Sequence, residues 1–436
     1  MGAGVGVAPA DWSALERAIV GEVLLPGAPA YDDARAPAIA NFAHVRPQAV
    51  VRCTEPADVA ETLAFARRLG IHVAARSGGH CFAGRSSTAG IVIDVRPMAD
   101  VSVSGDVATI GAGARLGEVY DALQAHGLTI PAGCGPTVGI AGLTLGGGAG
   151  LLGRKHGLTC DRLRAAQVVL ADGRVVDCDE RREPELFWAL RGAGGGRFGV
   201  VTSLVFDALP APAATVFRLA WPLGDAAAVL AAWQEWAPDA PDELHASAQL
   251  AAGTASVVGA MLAGEAGTVA LLGELVDRVG TDPETASHEH LPYRELKRAL
   301  AQEDEPRRRF GKSEYFRRSL PSDAIGALVS TFDGPGREVN FIPWGGAYNR
   351  VPAHATAFAH REERFLVEHA AEDSMQWVVQ SWRCVHPWGS GRVYPNFPEP
   401  GLSDWDEAYY AGNRERLLRV KRAYDPEGAF RFGQSR

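Results

Sequence analysis

The sequence predicts an α+β fold of two domains, and three observations predict it. Over the first 210 residues, short apolar strands alternate with amphipathic helices and glycine loops. At Pro210-Ala211-Pro212 the texture changes to longer helices with interspersed apolar strands, the pattern of a second, α/β domain. Finally, 16 of the 50 glycines fall between Gly133 and Gly199. That density reads either as loops wrapped round a ligand or as tight turns of a β-rich domain.

The elements follow in order. Thr54-Glu55-Pro56 starts a helix, with proline early in its first turn. Val59, Leu63 and Ala66 give it an apolar face up to Gly70, a C-cap. Ile71 to Ala75 is a buried strand that runs into Arg76-Ser77-Gly78-Gly79-His80. Ile91 to Val95 is another. Val101 to Val103 and Val107 to Ile110 are short strands joined by a Gly-Asp turn. Leu116 to His126 is helical and closes at Gly127. Val200 to Phe206 is an apolar strand. In the second half, Ala226 to Trp236 and Val269 to Val279 are helices, and strands are expected at Val339 to Ile342, Ala347 to Val351 and Arg361 to His369. Ser403 with Asp406 resembles a capping box for a final helix to Tyr424, ended by Pro426.

Composition excludes several classes. A chain of 436 residues that is 47% hydrophobic has ample material for large cores. The net charge of −9 lacks the basic footprint of a nucleic-acid binder. The one basic cluster is Arg307, Arg308, Arg309 and Lys312, then Arg317 and Arg318. It reads as a solvated helix face or loop, or as a mouth for an anionic substrate. No run of 18 apolar residues offers a membrane span. Met1 to Ala10 lacks the basic and apolar regions of a secretory signal, so the expectation is a cytoplasmic protein. Six cysteines without CxxC spacing argue against a disulfide framework or zinc ribbon. His288-Glu289-His290 reads as a solvated polar loop rather than a metal site.

Two stretches match G-x-G-x-x-G: Gly148, Gly150, Gly153 and Gly194, Gly196, Gly199. A dinucleotide fingerprint needs a strand before the motif and a helix after it. The second stretch leads straight into a strand, which argues against a nicotinamide site.

Longer motifs carry more. Arg76-Ser77-Gly78-Gly79-His80 with Gly84 and Ser86 resembles the pyrophosphate loop of the vanillyl-alcohol-oxidase-type (PCMH-type) FAD fold. Pro131 to Gly142, then Gly146-Gly147-Gly148, resembles its second flavin loop. Trp188 to Gly192 through Gly199-Val200-Val201-Thr202 resembles its third. Tyr394-Pro395-Asn396, Tyr409 to Asn413 and Asp425-Pro426 through Gln434-Ser435 are similar to the berberine-bridge-enzyme-like subfamily. The pattern spans about Ala34 to Ser435.

The resemblance implies two α+β subdomains in residues 1–210 that bind FAD, with 386–436 returning to them. Residues 211–385 would form an α/β substrate domain whose antiparallel sheet roofs the flavin. It places Arg76, Ser77, Gly78, Gly79, Ser86, Thr137, Val138, Gly139, Gly142, Gly147, Gly199, Val200, Val201 and Asn413 at the cofactor. Successive backbone N–H groups of such loops hold a pyrophosphate without lysines. His80 takes the position of the covalent anchor to the flavin 8α carbon. Cys134 lies one residue before the slot, here Gly135, from which bicovalent relatives bond flavin C6; it either reaches the ring or stays a free thiol. Cys81 is the weaker competitor.

The implied reaction is oxidation of a C–H bond next to O or N of a small molecule: a secondary metabolite, a sugar or an amine alcohol. Dioxygen would take the electrons and give hydrogen peroxide, and the small side chain of Val138 leaves room for it. A dehydrogenase with another acceptor and a redox-silent flavoprotein are the alternatives. Tyr394 or Glu368 is the expected base, the latter either poised by an apolar ring or solvent-facing. Asn396 is expected to orient the flavin or its neighbours.

Overall fold

A computed structural model describes residues 7–251, 253–301, 306–332 and 334–435. Helix Pro56–Leu69 buries Val59, Leu63, Phe65 and Ala66 and ends at Gly70, whose φ of 64° only glycine adopts freely. It crosses between strands of a four-stranded sheet in spatial order Glu22–Leu24, Ala49–Arg52, Ile91–Asp94, Val73–Arg76. The last three are parallel and wholly apolar at their centre, as a sheet covered on both faces requires. A five-stranded antiparallel sheet follows: Val101–Ser104, Val107–Gly111, Val200–Asp207, Leu163–Val169, Val175–Cys178. One apolar core joins both sheets. Trp405, Tyr409, Leu417 and Phe430 of the C-terminal segment pack into the same core.

The seven-stranded sheet is antiparallel throughout, in order Thr285–Pro292, Ala213–Pro222, Thr254–Met261, Leu244–Ala251, Arg337–Pro343, Phe365–Ala371, Phe310–Phe316. Its strands alternate. Leu244, Ala246, Ala248 and Leu250 face a core shared with the helices Ala226–Trp236, Glu265–Val279, Ser322–Val329 and Met375–Val385. His245, Ser247 and Gln249 lie on the opposite face and line a cavity. A third, largely aromatic cluster of Tyr315, Trp344, Tyr348, Phe358 and Tyr394 sits beside that cavity.

Four local expectations are corrected. Ala347–Arg350 is a helical turn, not a strand, because Gly345 and Gly346 at φ 87° and 56° turn the chain away after Pro343. The strand expected from Arg361 starts at Phe365; Arg361 is held instead by both oxygens of Asp161, at 2.7 and 2.9 Å. The final helix is broken: Trp405–Tyr410 and Arg414–Tyr424 are separated at Ala411, whose φ is 44°. His288-Glu289-His290 lies in an exposed edge strand, not a loop. No described group of His, Cys, Asp or Glu is arranged to hold a metal. Among described residues, no helix is long and apolar enough to cross a membrane.

Candidate active site

A cavity of about 710 Å³ lies between the two smaller sheets and the seven-stranded sheet. Its floor is two glycine loops that touch backbone to backbone. A Cβ on Gly78 would lie 2.2 Å from Gly139 N, and one on Gly139 would lie 2.1 Å from Ser77 Oγ. Only glycines allow that crossing. Gly142 and Gly196 also line the cavity, yet a Cβ on either meets no protein atom within 4 Å. Bare backbone therefore faces the space, the cradle a flavin dinucleotide needs.

The expected residues divide by position. Ser77, Gly78, Gly79, His80 and Ser86 line the cavity from the first loop; Cys134, Val138, Gly139 and Gly142 line it from the second; Gly199, Val200 and Val201 line it from the third. Arg76 also reaches the lining, but its buried guanidinium is spent on the loop itself. It donates to the carbonyls of Ala34, Arg35 and Ser86 at 2.8–2.9 Å and to Ser87 Oγ at 3.1 Å. Burial lowers it to about 10. Ser77 Oγ likewise donates to Ala112 O at 2.7 Å. Thr137 stands behind the lining, with its Oγ1 2.9 Å from His80 Nε2, and orients the ring.

Two expected residues are elsewhere. Gly147, at φ 116°, faces the rings of Phe358 and Tyr394. Asn413 clamps a connection: its Nδ2 donates to the carbonyls of Ala353 and Thr356 at 2.7 and 3.1 Å. This clamp ties the start of helix Arg414–Tyr424 to the connection at residues 353–357, a structural reason for its place in the motif.

Tyr394 is 3% exposed, and its hydroxyl oxygen accepts three hydrogen bonds: from Gly148 N at 3.0 Å, Ala149 N at 2.9 Å and Asn396 Nδ2 at 3.2 Å. Burial pushes the phenol up to about 12, and the three donors act against that rise. Asn396 is fixed by its second amide proton on Leu143 O, at 2.8 Å. Gly146 makes room for it, since a Cβ there would lie 2.0 Å from Asn396 Oδ1.

Glu368 is on the cavity wall but engaged. Its Oε1 accepts from Arg309 at 2.7 Å and its Oε2 from Asn340 Nδ2 at 3.3 Å. Arg309 also pairs with Glu338 at 2.6 Å, and the two carboxylates raise its already high basicity. The basic cluster is thus divided. Arg307 and Arg309 border the cavity, Lys312 is buried against Glu399 and Trp382, and Arg317 pairs with Glu362 at the surface.

Sequence reasoning missed Lys297 and His245. The Lys297 ammonium is buried and donates to the carbonyls of Ala132 and Gly133 at 2.8 and 2.9 Å, with Cys134 Sγ at 3.7 Å. Nothing local marks it. His245 had a signal, the polar positions 245, 247 and 249 alternating with apolar ones. Burial holds its imidazole near 3, so it is neutral.

Two family models match: an FAD binding domain over residues 47–179, and a berberine and berberine-like segment over residues 393–435. The FAD-linked oxidoreductase YvdP of Bacillus subtilis (strain 168) is 34% identical over 96% of this chain and 98% of its own. Berberine bridge enzyme-like Cyn d 4 of Cynodon dactylon is 31% identical over 90% and 84%. The chain belongs to the berberine-bridge-enzyme-like family of FAD-linked oxidoreductases.

The fold agrees. Physcomitrella patens BBE-like 1 superposes with a TM-score of 0.93 at 26% identity, covering 98% of each chain. Glucooligosaccharide oxidase from Acremonium strictum, a protein with a 6-S-cysteinyl, 8α-N1-histidyl FAD, shares the fold at 24% identity and a TM-score of 0.86, over 96% of this chain and 98% of that one. The PCMH-type fold and its FAD cofactor are those of this enzyme.

Proposed function

We propose that this oxidoreductase removes a hydride from a C–H next to O or N of a small molecule and uses dioxygen as acceptor. FAD, when bound, accepts the hydride and delivers the electrons to oxygen as hydrogen peroxide. The observation that carries the reading is the Tyr394 hydroxyl, held by three donors beside the cavity. Donors aimed at one oxygen favour its anionic form, so Tyr394 Oη is the atom that takes the substrate's proton. Glu368 is the poorer base, because Arg309 and Asn340 already occupy both its oxygens. Its role is to position substrate.

In this reading residues 1–210 and 386–436 bind FAD and 211–385 roof it, within a cytoplasmic protein. Arg76 and Thr137 fix the first loop, and the backbone amides of residues 77–80 and of Gly139, Ala141 and Gly142 hold the phosphates. His80 is the covalent anchor, and Cys134 is the candidate for a second bond. The test is purified protein precipitated with acid. Yellow colour in the pellet, lost in His80→Ala, supports the anchor; colour wholly in the supernatant overturns it. Compounds from alcohol, amine and sugar panels that bleach the flavin anaerobically, with stoichiometric peroxide on adding air, support an oxidase. Bleaching that air does not reverse points to another acceptor.

A further inference from the structure

The far end of the cavity roof holds a cation that no described carboxylate pairs. Arg218, on strand Ala213–Pro222, lines the cavity with an exposed side chain and makes no ion pair among the described residues. Its register explains where it points. Arg218 pairs with Val258, and Val258 pairs with Ser247 on the next strand. Paired residues share a face, so the three side chains form one row over the cavity. His245, two residues along from Ser247, continues that face. Its Nε2 lies 3.2 Å from Ser247 Oγ, while its buried Nδ1 has no hydrogen-bond partner. By register the nearest carboxylate on this face is Glu289, diagonal to Arg218 across the edge strand; it forms no ion pair with Arg218. Elsewhere on the roof the charges are already matched: Arg309 is held by Glu338 and Glu368.

We propose that Arg218, with Ser247 and His245, is a subsite for an anionic group, a carboxylate, at the distal end of an elongated substrate. The proposal rests on the oxidase reading above. The row continues from Ser247 towards Leu366 and Tyr315, and the Tyr315 ring lies 6.4 Å from that of Tyr394. Four strand spacings separate Arg218 from Leu366, about 19 Å between backbones. Allowing for the inward reach of the arginine, the carboxylate sits roughly 10–15 Å from the proton-accepting hydroxyl. A compound of two or three ring units spans that gap; a single small ring does not. The neutral His245 holds Ser247 Oγ in place without adding charge, so Arg218 supplies the charge selectivity.

The experiment uses flavin-loaded enzyme and oligosaccharides of two to four residues with a terminal uronic acid, each beside its carboxyl-reduced neutral counterpart. Anaerobic flavin reduction is measured with wild type, Arg218→Ala and Arg218→Lys. The expected result is at least tenfold higher kcat/KM for the acid of each pair, falling more than tenfold in Arg218→Ala through KM, with neutral counterparts unchanged and partial recovery in Arg218→Lys. If no pair reduces the flavin, the same pairs are titrated as ligands by perturbation of the flavin spectrum, and the same acid preference is expected. Equal handling of acid and neutral members, or an acid preference that survives Arg218→Ala, overturns the subsite. Failure of the oxidase reading is separate: it shows as flavin that only dithionite reduces while the Arg218-dependent acid binding persists.

Discussion

Replacing Gly78 by alanine tests whether the crossing of the two glycine loops builds the flavin seat. The added Cβ would lie 2.2 Å from Gly139 N, 2.7 Å from Thr137 O and 2.9 Å from Gly139 Cα. Ordinary contacts of such atoms are about 3.5 Å, so the loops must part by roughly 1 Å. Neither yields easily. Arg76 O accepts from Val95 N at 2.9 Å on one side, and Val138 O and Ala114 O accept from Leu116 N and Ile140 N at 2.9 and 3.0 Å on the other. Overpacking of this kind costs about 1–3 kcal/mol. It also separates Thr137 from His80, whose contact is 2.9 Å. The expectation is a lowered denaturant midpoint and flavin content below a tenth of wild type. The comparison is Gly142→Ala, in helix Ile140–Leu145, where the Cβ meets no protein atom and enters the cavity. An interior helical alanine should leave the fold as stable or slightly more so, yet flavin content should still fall. Absorbance at 450 nm per protein, with denaturant titration, reads both. Wild-type flavin content in Gly142→Ala would refute the placement of FAD against this backbone.

Other outcomes follow from the same contacts. Gly146→Ala drives a Cβ to 2.0 Å from Asn396 Oδ1; displacing that amide from Tyr394 should slow anaerobic flavin reduction about tenfold while leaving KM nearly unchanged. Glu368→Gln should raise KM and lower the reduction rate by less than about tenfold, as expected of a positioning group. A loss of a hundredfold or more with unchanged KM would make Glu368 the base. Asp161→Ala strands the buried Arg361 guanidinium, and equilibrium denaturation should show about 3–5 kcal/mol of lost stability.

The parts of the site legible in the sequence are those written in consecutive residues. Gly78-Gly79-His80 and the glycines of 133–150 announce backbone that must come close to something, because no other residue permits it. The pairings are not local. Tyr394 meets Gly148 across 246 positions and Lys297 meets Cys134 across 163, and no periodicity in either segment encodes those encounters. Asn413 shows the converse. Its motif neighbours suggested the cofactor, whereas its amide serves three carbonyls of a connection. Two misread elements, at Ala347 and Ala411, fail for one reason: apolar and helix-forming residues there are overruled by positive-φ backbone set by tertiary packing.

The most direct measurement is the pH dependence of anaerobic flavin reduction in wild type and Tyr394→Phe. A phenol held up to about 12 loses its proton only as pH rises towards that value, so the active, deprotonated fraction grows about tenfold per unit below it. The account predicts a kcat/KM that climbs through pH 10, and a Tyr394→Phe rate lower by roughly 10²–10⁴ with the climb abolished. A flat wild-type profile from pH 6 to 10, or a Tyr394→Phe enzyme within threefold of wild type (about 0.6 kcal/mol), would contradict it.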